Sequence, residues 1–485
     1  MNKRMIRYIL SWILLLEGMF MLLPWVTGLL YHEDSARYFL IVGACCICAG
    51  LILTRFKPKR TVFYMREGCI ATALSWIMIS LVGCLPFVLS GEIPRFTDAL
   101  FETVSGFTTT GATILTEVEA LSHCMLFWRS FTHWMGGMGV LVFLLAVIWM
   151  SGGSNMNLMR AETTGPSVAK LVPKLMHSAR IVYLIYIGLT VLMLVFLLAG
   201  RMPFFDAVTT ALGTAGTGGF GIRSDSIAGY SPYIQWVVTV FMLLFGVNFN
   251  AYYLILFKKW RQIFHMEEVR YYFLIVLGAV ALITANIYNT AVSFEQNLRE
   301  AAFQVASIIT TTGFGTVDFN LWPETSRLIL VLLMFCGACA GSTGGGMKVS
   351  RIVILIKTMI REFGSYLFPK SVKKIKMDQK TVEDEVIRGV NVYLISFAVI
   401  FAASMFCLSL ENVDLVTNFT SVAASINNIG PGLNLVGPME NYSFYSNFSK
   451  SVLMFDMIAG RLELFPLLIL LYPPTWKGIF KKTKE

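Results

Sequence analysis

Charge is scarce in this sequence. Of 485 residues, 14% are Asp, Glu, Lys or Arg and 56% are hydrophobic, and the mean hydropathy is +0.67. Soluble proteins carry about 25% charged residues, so a soluble protein of this size is excluded and a polytopic membrane protein is expected. No polar stretch is long enough to form a soluble domain; the largest is the loop at 364–385. Histidine is rarer still. The five histidines form no HExxH, no metal-ligand cluster and no Ser/His/Asp set, which leaves nothing to carry enzyme chemistry. His133, beside Trp134 at a helix start, reads as packing. The cysteines Cys45, Cys46, Cys48, Cys69, Cys84, Cys124, Cys336, Cys339 and Cys407 lie mostly in apolar runs, where Cys acts as a small hydrophobe. Cys336 and Cys339 form a CxxC with no histidine nearby and no βαβ context, so packing is expected there. The string ending Gly-Met-Lys348 is followed by Val349, where a phosphate-binding loop needs Ser or Thr. No organic cofactor is expected.

What is present is apolar and periodic. Stretches long enough to span a bilayer, about 20 residues, occur at 8–31, 37–54, 68–90, 125–150, 179–200, 232–257, 270–290, 327–360, 386–410 and 449–472. The first, Tyr8 to Tyr31, is longer than a signal-peptide core and lacks a small-residue cleavage site, so it reads as a transmembrane helix. The net charge is +10, but the basic residues collect in particular loops. They are Arg55, Lys57, Lys59 and Arg60; Arg160, Lys170, Lys174 and Arg180; Lys258, Lys259, Arg261 and Arg270; Lys370, Lys373, Lys374, Lys376 and Lys380; and Lys477, Lys481, Lys482 and Lys484. All fall on one side of a ten-helix arrangement. That side is expected to be cytoplasmic, with both termini inside. The expected partner of this surface is the lipid bilayer and not nucleic acid.

Four shorter stretches, at 95–107, 203–215, 298–309 and 413–426, are too short to cross. Each runs into a glycine-centred loop: Thr108-Thr109-Thr110-Gly111, Gly216-Thr217-Gly218-Gly219, Thr310-Thr311-Thr312-Gly313 and Asn427-Asn428-Ile429-Gly430. The last glycines are 108, 94 and 117 residues apart. One such string is an ordinary turn; four at matching positions between helices predict a ring. Backbone carbonyls can strip a cation of its water without supplying a fixed charge, and irregular backbone at membrane depth must be buried or line a cavity. The predicted site is therefore an ion selectivity filter. If each short helix points its C-terminus at the centre, the partial negative charge there, about half a unit, favours a cation. Asp98, Glu102, Glu117 and Asp318 are expected to gather cations at the outer mouth.

A second glycine cluster, Gly341-Ser342-Thr343-Gly344-Gly345-Gly346, interrupts the eighth apolar stretch. Glycine costs about 1 kcal/mol relative to Ala in a helix, so an unwound constriction beneath the filter is predicted. The last stretch holds Asp456, Arg461 and Glu463. Arg461 is a candidate electrostatic barrier to cations, or half of a buried Arg–Glu pair.

Together TTTGAT at 108–113, TTTGFGTVDF at 310–319, GSTGGGMK at 341–348, GRLE at 460–463, RSFTHWMGGMG at 129–139 and AETTGPSVAKLVPK at 161–174 resemble the Trk/Ktr/HKT superfamily of potassium transporters. The extra N-terminal helix pair is similar to the TrkH branch. The resemblance implies a homodimer with one pore per subunit, potassium as the transported ion, and a TrkA-type cytosolic nucleotide-binding ring as regulatory partner. It implies that a glycine at Gly111 goes with potassium selectivity and a serine with sodium permeation. It also implies that 341–346 is an intramembrane gating loop and Arg461 a pore-lining residue beside it. The second and fourth loops depart from TTTG, so the ring is expected to be asymmetric.

The expected fold is thus an all-α polytopic protein of the cytoplasmic membrane. Ten transmembrane helices are divided into a helix pair at 1–60 and four helix–pore-loop–helix repeats at 61–160, 161–262, 263–376 and 377–485. The expected function is channel-like potassium uptake. The alternative is a secondary transporter coupling cation uptake to sodium or protons, for which inverted repeats and midplane acids would be the usual marks.

Overall fold

A computed structural model describes residues 2–58, 64–151, 175–288, 292–369 and 374–476. The basic positions Lys59, Arg60, Arg160, Lys170, Lys174, Lys370 and Lys373, the stretch 161–174 and the residues from Lys477 onward lie outside the described residues. The chain is mostly helical. Six helices among the described residues are long and apolar enough to cross a membrane, seven if one sharply bent pair is a single span. Their outward faces are apolar: Leu184, Leu274, Leu277, Ile395 and Val399 are all exposed, as suits a molecule whose solvent is lipid. This is a multi-pass membrane protein.

The N-terminal pair is Lys3–Leu30, broken at Met21, and Ala36–Thr54. The four short helices are Phe96–Phe107, Phe204–Gly216, Phe294–Ile309 and Leu415–Ile426. Their starts follow ordinary capping chemistry. Ser293 Oγ accepts from Gln296 N at 3.1 Å and Asp414 Oδ2 from Thr417 N at 2.9 Å, each satisfying a donor that the first turn cannot. Aromatic packing ties the elements together. Trp128 meets Phe39 of the N-terminal pair at 5.8 Å and Phe107 of the first short helix at 6.1 Å between ring centroids.

Three of the long helices expected after the glycine loops are broken. The 232–257 stretch is two helices, Pro232–Phe245 and Phe249–Leu256, bent by 90°. The 327–360 stretch is Glu324–Cys336 and Val349–Leu367, so the interruption covers 337–348 and is longer than the glycine cluster. The 449–472 stretch is Asn447–Arg461 and Phe465–Leu471, and Glu463 and Leu464 between them have φ of +54° and +67°. The helix His123–Ser151, by contrast, is continuous. Among the described residues there is one small sheet. Lys376–Met377 pairs antiparallel with Lys380–Thr381 about a turn in which Asp378 and Gln379 have positive φ. Asp378 Oδ1 accepts from Glu267 N at 2.7 Å, so this hairpin caps the helix Glu267–Ile287.

Glu33, in the loop joining the N-terminal pair, caps the helix His123–Ser151. It accepts from His123 N at 2.6 Å and Cys124 N at 2.9 Å. Burial pushes its carboxyl up, but the hydrogen bonds from Cys124 and His123 outweigh that and hold it below the usual carboxylate range. A depressed carboxyl contributes stability above its unfolded value, about 4.3, and that contribution is lost as pH falls through the folded value. Glu33→Gln should cost about 1 kcal/mol at neutral pH. The variant's melting temperature should lie below wild type at pH 7 and converge with it as the pH falls below 4.

Candidate functional site

The four glycine loops share one backbone form. Each short helix ends on a residue in the left-handed region: Thr109, Thr217, Thr311 and Asn428 have φ of +55°, +53°, +58° and +56°. The next N–H in each loop reaches back five residues: Thr110 to Ser105 O and Gly218 to Gly213 O at 2.9 Å, Thr312 to Ser307 O and Ile429 to Ala424 O at 2.8 Å. This is the Schellman helix ending, repeated four times with a threonine or asparagine where glycine is usual. Left-handed backbone costs a non-glycine residue about 1–2 kcal/mol, so the surroundings must hold it. The glycine that follows is left-handed too: Gly111, Gly219, Gly313 and Gly430 have φ of +80°, +78°, +85° and +96°.

These glycines close a ring. A β-carbon on Gly111 would lie 2.1 Å from Gly218 O, one on Gly219 2.0 Å from Thr312 O, one on Gly313 2.1 Å from Ile429 O, and one on Gly430 2.7 Å from Thr110 O. Each glycine packs on the carbonyl just before the next loop's glycine, in chain order, and the fourth returns to the first. The segments beyond the loops are stitched in the same order. Ser224 N donates to Glu119 at 2.7 Å, Gly315 N to Ser226 Oγ at 3.2 Å, Asn434 N to Asn320 Oδ1 at 2.9 Å, and Tyr442 N to Thr113 O at 2.8 Å. The four loops named from the sequence are brought together, and they touch one another at Thr110, Gly111, Gly218, Gly219, Thr312, Gly313, Asn428, Ile429 and Gly430.

The segment 341–346 lies against the ends of the third and fourth short helices. Gly345 N donates to Thr311 Oγ1 at 2.6 Å, and a β-carbon on Gly345 would lie 2.6 Å from Asn427 O. Arg461 donates to Thr343 O at 2.9 Å and to Gly136 O at 2.7 Å, joining this segment to the helix after the first loop. Buried Lys348 donates to Gly344 O. Glu463 pairs with Arg351, whose guanidinium stacks 4.0 Å over the Tyr393 ring.

A model of the TrkH family, described as cation transport proteins, matches residues 35–474. The chain belongs to that family. It is 34% identical to the Trk system potassium uptake protein TrkH of Salmonella typhimurium, over 98% of this chain and 100% of that one. It is 30% identical to TrkG of Escherichia coli, over 98% of this chain and 99% of that one. The crystal structure of the potassium transporter TrkH from Vibrio parahaemolyticus matches with a TM-score of 0.87 at 30% identity, over 98% of this chain and 100% of that one. The TrkH family is one of transport and not of catalysis.

In this TrkH-family chain the outer acids are largely spoken for. Asp98 is paired with buried Lys450 at 2.7 Å, and Glu102 is buried against Arg129 at 2.7 Å. Glu102 also accepts from Ile114 N at 3.1 Å and Arg129 donates to Gly221 O at 3.1 Å. Glu102 therefore braces the segment after the first loop and Asp98 ties two helices together, so both carboxylates are already paired within the fold. Sequence reasoning saw their charge and could not see the partner. Arg129 and Lys450 lie 27 and 352 residues away along the chain, and only the fold joins them.

The ring contacts set a graded expectation. Serine at Gly111, Gly219 or Gly313 puts its β-carbon about an ångström inside normal contact with a neighbouring carbonyl, and at Gly430 the overlap is smaller. Gly111→Ser, Gly219→Ser and Gly313→Ser should each lower the K⁺/Na⁺ permeability ratio of vesicle-reconstituted protein by about tenfold or more, a shift of about 1.4 kcal/mol. Gly430→Ser should be mildest. Equal ratios in all four folded variants would break the link between these contacts and ion discrimination.

Proposed function

We propose that this chain takes up potassium through a channel-like pore in the cytoplasmic membrane, with both termini inside. The observation that carries this is the closed ring of four backbone loops. Its helix ends bring partial negative charge to one place, and backbone carbonyls coordinate a dehydrated cation. The filter would be Thr108–Gly111, Gly216–Gly219, Thr310–Gly313 and Asn427–Gly430. Ten spans would be arranged as a helix pair at 1–60 followed by repeats at 61–160, 161–262, 263–376 and 377–485. Relatives named as Trk potassium uptake proteins, matched over nearly their whole length, support potassium as the cargo.

The segment Gly341–Gly346 would be the gate, with Arg461 as its latch. A cation that holds a gate carbonyl opposes passage of another cation and anchors the obstruction at once. A homodimer regulated by a cytosolic nucleotide-binding ring is proposed with it. That arrangement gives such a gate something to respond to.

The alternative, a carrier coupled to protons or sodium, has one observation in its favour. Two buried carboxyl groups lie within helices: neither oxygen of Glu17 has a hydrogen-bond partner among the described residues, and neither does Asp456 Oδ2. Both groups lie outside the loop ring. Discrete unitary conductance with a reversal potential set by K⁺ alone supports the channel. Uptake that requires a pH gradient and loses that requirement in Glu17→Gln or Asp456→Asn supports the carrier.

Growth at low potassium of a strain lacking its own uptake systems is the first test, and failure of the well-expressed chain to restore it overturns the proposal. The gate has its own. Deleting 341–346 should raise rubidium flux per folded molecule severalfold in the absence of any partner. Arg461→Ala should raise it less, because Lys348 still holds Gly344. Flux at or below wild type in both would return the segment to a structural role.

A further inference from the structure

The second loop differs from the first and third where their side chains pair. Thr108 and Thr110 hydroxyls lie 2.8 Å apart, and Thr310 and Thr312 hydroxyls 2.7 Å apart, behind their loops. The matching positions in the second loop are Gly216 and Gly218. Neither could carry a threonine as the chain is folded. A β-carbon on Gly216 would lie 2.2 Å from His133 O, and one on Gly218 would lie 2.1 Å from both Cγ and Nδ1 of the His133 ring. The imidazole stands where the second threonine of the pair stands in the other loops, and the His133 backbone stands against the position of the first.

His133 is fully buried and both its nitrogens are engaged. Nδ1 lies 2.9 Å from Gly106 O in the first short helix, and Nε2 lies 3.2 Å from Phe220 N, directly after the second ring glycine. A carbonyl can only accept and a backbone N–H can only donate. The ring is therefore neutral, with its proton on Nδ1. It also packs on the Phe220 ring, with centroids 4.3 Å apart, while Arg129, one turn earlier, stacks 4.1 Å over the same ring. One helix face thus grips the exit of the second loop through a hydrogen bond, a ring contact and a cation–π contact.

We propose that His133 is a specificity-determining positioning residue. Its neutral imidazole replaces the missing threonine pair, fixes Phe220 N–H, and so sets the Gly218 and Gly219 carbonyls at the spacing that separates potassium from sodium. This rests on the filter reading above. It makes the GTGG of the second loop the complement of the histidine, because the small residues leave room for the ring and the ring supplies the support.

The test uses the full chain in vesicles, with the K⁺/Na⁺ permeability ratio from reversal potentials and the melting temperature measured on the same preparations. His133→Phe keeps the ring volume and loses both hydrogen bonds; the ratio should fall about tenfold, the scale of one buried hydrogen bond, in protein that still folds. Gly218→Ser alone should lower the ratio further, because its β-carbon strikes the ring. Gly218→Ser combined with His133→Ala should recover part of that loss, because the hydroxyl then has the vacated space. If His133→Phe does not fold, the comparison of Gly218→Ser with the double variant decides. A wild-type ratio in folded His133→Phe, or a double variant no better than Gly218→Ser, overturns the proposal. A wild-type chain with no preference between the two ions removes the filter reading first, so the two failures are distinct.

Discussion

Each ring glycine rests on the carbonyl that precedes the glycine of the next loop, and the remainder of the molecule is arranged to permit that contact. Four chain segments approach so closely that a single β-carbon on any of them would lie 2.0–2.7 Å from a neighbour's oxygen. Backbone alone can come this near, and backbone alone cannot hold itself there, because it has no side chains to interlock. The left-handed threonines and asparagine beside the glycines add strain of their own. The support has to come from outside the ring. It comes as the Thr108–Thr110 and Thr310–Thr312 hydroxyl pairs, the Glu102–Arg129 ion pair, the Tyr442 hydroxyl on Gly430 O at 2.7 Å, and the His133 imidazole. A buried ion pair is a weak source of net stability. Glu102–Arg129 is better understood through what it positions, namely the Ile114 N–H and the Gly221 carbonyl on either side of one seam.

The broken helices follow the same logic one layer out. At membrane depth an interrupted helix exposes backbone groups that lipid cannot satisfy, and here they are satisfied by other breaks. Cys339 N donates to Gly246 O at 3.1 Å and Phe249 N to Gly341 O at 3.0 Å, so the kink at 246–248 and the gap at 337–348 complete each other. Buried Glu268 accepts from Ala340 N at 2.6 Å and Ser350 N at 3.2 Å and spans the gap from the far side. Lys348 and Arg461 hold carbonyls inside it. Polar contacts thus fill the middle of the gap, while Cys339 and Met347 near its two ends are packed into the hydrophobic core.

Much of this was legible along the chain, for a physical reason in each case. The short helices at 95–107, 203–215, 298–309 and 413–426 lie within a few residues of where apolar length and the following glycine put them. Both signals are local. The helix breaks at 246–248 and 462–464 were not legible. Gly-Val-Asn and Leu-Glu-Leu are compatible with a continuous helix, and only contacts from segments far away in sequence pull them open. The hairpin at 376–381 was hidden in a loop whose lysines read as topology signals. His133 reads as packing and does pack on Phe220, but its partners Gly106 O and Phe220 N lie 27 and 87 residues away and nothing local announces them.

What the sequence determines by itself is therefore the membrane, the four recurrences and the places where the backbone must leave regular structure. These follow from hydropathy, helix length and the freedom of glycine, which are properties of neighbouring residues. Which loop touches which, why the second loop has glycines where the first and third have threonines, and which charges meet were decided only by the tertiary structure. Those contacts join residues from 27 to 352 positions apart. Their energies depend on distances of a few tenths of an ångström, and no local pattern encodes such distances.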